Sequence, residues 1–260
     1  MATGPSRGRV VVRQESVSQL VANVLRERIV SGELPDGALL ARLDDLIEEF
    51  QVSKPSIREA LRILETEGLV TVKRGKSGGA IVHAPSALGT AYTLGFLLES
   101  QQVTLADLAE ALRLLEPLCA GLCAANHDPK VLAALDDLVR QTRANMADEL
   151  QAVSLSRRFH EQIVAGCGND TLIAVLGSLE ALWSTHEVEW TCRLPQERFD
   201  DNRRAAGVKE HERIVKAIES GDAGRAQRVM AEHMKDNYRI PADVRGDLKV
   251  QRPPMPTAVH

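Results

Sequence analysis

Apolar residues recur three and four positions apart along most of this chain, which predicts helices nearly throughout. Val17, Leu20, Val21, Val24, Leu25 and Ile29 form the first stripe, in a helix starting near Ser16. Ser31-Gly32 ends it, and Leu34-Pro35-Asp36-Gly37 reads as a turn. Leu43, Leu46, Ile47 and Phe50 share one face of a short second helix. After a two-residue turn, Ser53 is an N-cap and Pro55 sits in the first turn of a third. There Ile57, Ala60, Leu61 and Leu64 face inward, leaving Lys54, Ser56, Arg58 and Arg62 nearer the outer face. Beyond Glu67-Gly68, residues 69–73 and 79–83 read as two strands. They are joined by the basic, glycine-rich tip Arg74-Gly75-Lys76-Ser77-Gly78.

From Ala84 onward only helical patterns appear, over 85–100, from 104 through the stripe ending at Leu122, then over 128–149, 151–165, 171–190, 205–219 and 223–238. Thr104 caps the second of these, with Leu105, Leu108, Leu112, Leu115, Leu118 and Leu122 as its stripe. Short connections imply mostly antiparallel neighbours. Residues 1–14 and the Pro-rich 241–260 read as disordered. The plan is a mainly α chain: a winged helix-turn-helix with an α/β wing over 15–84, then an all-α antiparallel bundle of six or seven helices over 85–240.

Composition narrows the core and the partners. Aromatic content is 3%, so the core is aliphatic. The net charge is −4, so nucleic-acid binding must rest on local charge. Between Ser53 and Val82, Lys54, Arg58, Arg62, Lys73, Arg74 and Lys76 outnumber Glu59, Glu65 and Glu67. No apolar run nears the roughly 18 residues of a membrane span, and no secretory signal opens the chain; both predict a cytoplasmic protein. Cys119, Cys123, Cys167 and Cys192 form no CxxC pair and read as buried thiols.

The first part resembles the DNA-binding domain of GntR-family bacterial regulators. The resemblance is carried by Leu34-Pro35, Val52-Ser53-Lys54-Pro55, Ile57-Arg58-Glu59-Ala60-Leu61-Arg62 and Glu67-Gly68-Leu69-Val70. It implies that Lys54, Ser56, Arg58 and Arg62 approach double-stranded DNA from the recognition helix, with Arg74, Gly75 and Lys76 at the wing tip. Lys54 stands where arginine is usual, losing the planar fork that suits guanine. Asp44 stands where some members carry an arginine, so that phosphate contact is not carried over.

The second part is similar to the FCD effector domains of the FadR type. The matching pieces run Ala111 to Pro117, Arg158-Phe159-His160, Cys167-Gly168-Asn169, Glu210-His211 to Ile218, Gly221-Asp222 and Glu232-His233-Met234. His160, His211 and His233 lie on three helices, each able to project an imidazole inward. Neutral imidazole suits Zn²⁺ or Ni²⁺, the divalent cofactor the resemblance implies. Metal-binding members place an Asp one turn before the first His; here that position is Ser156. The histidines read either as metal ligands or as core groups held by hydrogen bonds. Arg113 is placed by the resemblance in the effector pocket, to hold a carboxylate, or else pairs with Glu110 or Glu116. His186, Glu187 and Glu189 border the pocket or form a polar helix face.

The resulting expectation is a regulator, of the repressing kind in the resembled family's terms, that is not an enzyme. It would bind a palindromic operator as a homodimer, under control of a small carboxylate effector. Two rivals are a metal-free version with an acyl-CoA or apolar-acid effector, and a metal-dependent hydrolase fused to a DNA-binding module.

Overall fold

The computed structural model describes residues 15–73, 79–193, 201–235 and 248–254. It divides into two compact units after Pro85.

The first unit contains α1 (Val17–Val30), α2 (Leu43–Phe50), α3 (Lys54–Thr66), β1 (Val70–Val72) and β2 (Ala80–Val82). The Ser16 side chain accepts from the Gln19 amide, and Ser53 Oγ accepts from Ser56 N, so α1 and α3 begin where the capping residues lie. Gly68, at φ 75°, turns the chain out of α3 into the hairpin, a conformation that suits glycine. The strands pair antiparallel with Thr71 opposite Ile81, and an isolated bridge from Leu39 to Ile81 widens the wing. Leu25, Ile29, Leu46, Ile57, Leu64 and Val82 fill the core. The predicted stripe on α1 splits: Val21, Leu25 and Ile29 are buried, whereas Val17, Leu20 and Val24 are exposed. Arg26 on α1 forks onto Glu67 beyond α3, at 2.8 and 2.6 Å. The predicted wing-tip residues Arg74, Gly75 and Lys76 lie outside the described residues.

The second unit is α4 (Ala87–Ser100), α5 (Leu105–Asn126), α6 (Pro129–Ala144), α7 (Glu149–Ala165), α8 (Asp170–Arg193), α9 (Asp201–Glu219) and α10 (Ala223–Met234). Thr104 and Asp107 form a reciprocal capping box at the start of α5. α6 stops at Ala144, short of the predicted 149, because Asn145 ends it and Asp148 caps α7 by accepting from Gln151 N.

The stripe on α5 differs from the expectation. Leu105, Leu108 and Leu112 are buried, and burial then passes to Glu116, Cys119, Ala120 and Cys123, while Leu118 and Leu122 face outward. The helical period demands this phase, and the leucines beyond Pro117 stand one position off it. The small inward residues bring α10 close: a Cβ on Gly121 would lie 3.1 Å from the Ala223 carbonyl oxygen.

The tail also departs from the expectation of disorder. Residues 248–254 form an ordered strap across the α4–α5 connection. Leu105 N donates to Leu248 O and Val250 N to Val103 O, at 2.9 and 3.0 Å. Val250 is fully buried, and Arg252 lies 4.2 Å above the Phe96 ring. The polar composition around Leu248-Lys249-Val250 hides an isolated antiparallel bridge, Lys249 to Thr104.

Candidate functional site

The histidine cluster is built by three helices of the second unit. His160 comes from the end of α7, His211 from the middle of α9 and His233 from the end of α10. One ring nitrogen from each lies within 4.8 Å of the others. His160 and His211 are buried, and His211 stacks on Phe159 with ring centroids 4.1 Å apart.

Carboxylates orient two of the rings. Glu116, fully buried on α5, accepts from His160 Nδ1 at 2.6 Å, and Glu210 on α9 accepts from His233 Nδ1 at 2.7 Å. A proton held on Nδ1 by such a carboxylate leaves Nε2 as the nitrogen that a neutral ring offers inward. Those two Nε2 atoms face each other at 3.3 Å. That is hydrogen-bond distance, and either a shared proton or a metal ion between the two nitrogens joins the rings. A tetrahedral or octahedral ion with metal–nitrogen bonds of about 2.1 Å separates adjacent ligand nitrogens by about 3.0–3.4 Å, so the spacing fits. His211 supplies the third nitrogen, and its buried Nδ1 has no hydrogen-bond partner among the described residues. Burial, then the neighbouring His160 and His233, hold the His211 imidazole well below its ordinary pKa. Burial and His160 lower His233 as well, with Glu210 opposing. These two rings are therefore neutral, the form that ligates a metal. The donor set fits a borderline divalent ion.

Beside this cluster lies a cavity of about 180 Å³ between α7 and α8. Val153, Ser156, Arg157 and His160 line it from one face of α7, and Glu180, Trp183 and Glu187 from one face of α8. Each set follows the helical period. Ser156, the position where metal-binding members of the resembled family carry an Asp, lies in the cavity wall, and Glu187 borders it. Arg113 does not line this cavity. Its Nε lies 3.2 Å from Glu110 Oε2 on its own helix, an ion pair without hydrogen-bond geometry. The guanidinium in the wall belongs to Arg157. His186, the neighbour of Glu187, points to the strap and accepts from Gln251 N at 3.1 Å.

On the first unit, Lys54, Arg58 and Arg62 follow one another at four-residue spacing along the exposed face of α3. Arg62 is forked onto Glu59, at 2.9 and 2.7 Å. Lys54 Nζ lies 3.9 Å from Asp44, the acid that departs from the resembled pattern. Ser56 sits on the shoulder of the helix, its hydroxyl 2.9 Å from that of Ser53. Among the described residues Arg58 makes no ion pair, so its fork is free.

Residues 17–78 match the family described as bacterial regulatory proteins, gntR family, and residues 107–236 match the FCD domain. The chain belongs to the GntR family of bacterial regulators and carries an FCD domain. It is 26% identical over 211 residues to the HTH-type transcriptional regulator LutR of Bacillus subtilis, covering 79% of this chain and 92% of that one. It is 26% identical over 244 residues to the HTH-type transcriptional repressor NanR of Cronobacter sakazakii, covering 91% and 90%. The Uxu operon regulator of Haemophilus influenzae is 24% identical over 218 residues, covering 83% and 78%. The solved structure of a Streptococcus agalactiae GntR shares the fold, with TM-score 0.64 and 24% identity over 85% of this chain and 99% of that one. The protein is thus a DNA-binding transcription regulator with a small-molecule effector domain, and not an enzyme; the hydrolase reading is set aside by the family. No described helix is long and apolar enough to cross a membrane.

The sequence reading did not find Glu116, Arg157 or Glu180. The signal for Glu180 was present: a single acid inside the apolar run Ala174 to Trp183, in phase with Trp183 and Glu187.

Proposed function

We propose that this GntR regulator works as a cytoplasmic homodimeric repressor whose operator affinity is set by a small organic acid, bound in the α7–α8 cavity beside a divalent ion held by His160, His211 and His233. The observation that carries this reading is the pair of Nε2 atoms at 3.3 Å, each backed by a carboxylate on Nδ1. Carboxylate–histidine–metal relays of this kind orient ligand histidines. His160 belongs to both the cluster and the cavity wall, so the ion presents a coordination position to the ligand. Zn²⁺ or Ni²⁺ there would polarise and anchor a carboxylate, with Arg157 and Ser156 supplying hydrogen bonds from the same face of α7.

Cavity size separates this from the acyl-CoA alternative. At about 180 Å³ it lies below the roughly 300–1,000 Å³ of pockets for drug-sized ligands, and its wall is mostly polar. That size favours a small acid over a coenzyme A thioester. The homodimer is supported by Leu114, Leu118 and Leu122, exposed at four-residue spacing along α5. A second protomer would cover such a stripe, and a paired module suits a palindromic operator.

Elemental analysis of the purified chain, with operator binding measured before and after chelation, tests the reading. Stoichiometric metal that is lost in His211→Ala supports it. A metal-free chain that retains its effector response refutes the metal-dependent form.

A further inference from the structure

The cavity wall is electrically two-sided, and the established family assignment does not say what that means. The α7 side carries Arg157, Ser156 and His160, groups that suit a carboxylate. The α8 side carries Glu180 and Glu187. A ligand bearing only negative charge offers no donor to that second side. Glu180 is 5% exposed, and its Oε1 is buried with no hydrogen-bond partner among the described residues. It stands apart from the histidine cluster, which consists of three nitrogens, so it is not accounted for as a metal ligand.

Building on the proposed effector site, we infer that the effector carries an amine as well as a carboxylate: a small amino acid whose ammonium donates to Glu180 while its carboxylate meets Arg157 and the α7 face. A buried acceptor without a donor is rare in folded proteins, and one aimed into a cavity is completed by what enters. Burial, then the Glu116 and Glu161 charges, raise the Glu180 carboxyl to about 9, so the cavity disfavours a bare carboxylate there. An ammonium replaces that proton as the compensating charge. A charge-assisted hydrogen bond formed away from water is among the stronger polar contacts, and it discriminates against ligands lacking the donor.

The competing arrangement keeps Glu180 protonated and has its O–H donate to a purely anionic ligand. Calorimetry and thermal shift on the full, metal-loaded chain separate the two. The probes are the proteinogenic α-amino acids, each set against acids of the same skeleton with OH or H in place of the amine. The expected result is an amino acid bound at least about tenfold more tightly than both of its counterparts. Glu180→Gln is expected to erase that preference while leaving the circular dichroism spectrum unchanged. Hydroxy or des-amino acids that bind as tightly as the amino acid, or a preference that survives in Glu180→Gln, would overturn the inference and leave the small-acid reading standing. A chain that responds to none of these probes would overturn both.

Discussion

His160 Nε2 and His233 Nε2 lie 3.3 Å apart, and behind each ring a carboxylate, Glu116 or Glu210, holds the Nδ1 proton. The carboxylates decide which nitrogen of each ring faces the other ring, so they orient the cluster from outside it. Replacing Glu116 by Gln keeps the shape and an acceptor oxygen but removes the charge that faces the His160 Nδ1 proton. Metal affinity, measured by competition with a chelator, is expected to fall about 10- to 100-fold. Unchanged affinity would mean that the histidines are a hydrogen-bonded core.

We propose that reading of DNA turns on Arg58. Its fork is free, whereas Arg62 is engaged by Glu59 and Lys54 lies near Asp44. Arg58→Ala is expected to weaken specific operator binding by about 1–3 kcal/mol, the range of one bidentate base contact. Arg62→Ala is expected to cost less, since it also frees Glu59. Fluorescence anisotropy with operator and scrambled duplexes at fixed salt measures both. Equal losses on the two duplexes would make Arg58 a phosphate contact only.

What the sequence revealed depended on range. The winged module was legible because its signals are local: Ser53 as cap, Pro55 in the first turn, Gly68 at the exit of α3. The histidines were legible as a set only through resemblance, since 50 residues of chain separate His160 from His211 and nothing local links them. Glu116 was hidden differently. It looked like a partner for Arg113 three residues earlier, yet the period of α5 carries it inward to His160, while Arg113 pairs with Glu110. The leucines after Pro117 misled for the same reason, because residue type suggested burial where phase forbade it.

That misphased stripe yields a prediction about assembly. Leu118 is exposed, so Leu118→Glu removes little from the protomer core, and exposed positions change stability by about 0.5 kcal/mol or less. In a homodimer closed over α5, the same change buries a charge and separates the protomers. Light scattering is expected to report a monomer with unchanged secondary structure. A dimer that persists would place the interface elsewhere.

Glu180 sets a pH dependence of known sign. Its folded pKa is raised to about 9, so between its ordinary value and that point the folded chain holds a proton the unfolded chain has released. Stability therefore falls as pH rises through this window, by up to about 1.4 kcal/mol per pH unit. His211 acts on the acid side: its lowered pKa means the unfolded chain takes up the proton first, so stability falls as pH drops below the ordinary histidine range. Glu180→Gln is expected to flatten the alkaline decline and leave the acid limb in place. A thermal melting series across pH checks this, and an alkaline limb that does not change would assign the decline to another group.

The strap over 248–254 gives the last prediction. Val250 is fully buried, its amide bonds to Val103 O, and the next residue's amide bonds to His186 on α8. His186 adjoins Glu187 in the cavity wall, so the strap fixes the α8 face that carries the acids. Val250→Asp forces a carboxylate into this apolar seat, a mechanism that belongs to the large-effect class of substitutions. The FCD unit is expected to lose about 3 kcal/mol or more in urea unfolding. Val250→Ile keeps the seat apolar and should cost little by comparison. If Val250→Asp melts like the parent chain, the strap is not part of the folded core, and the cavity wall must be held by α4 and α5 alone.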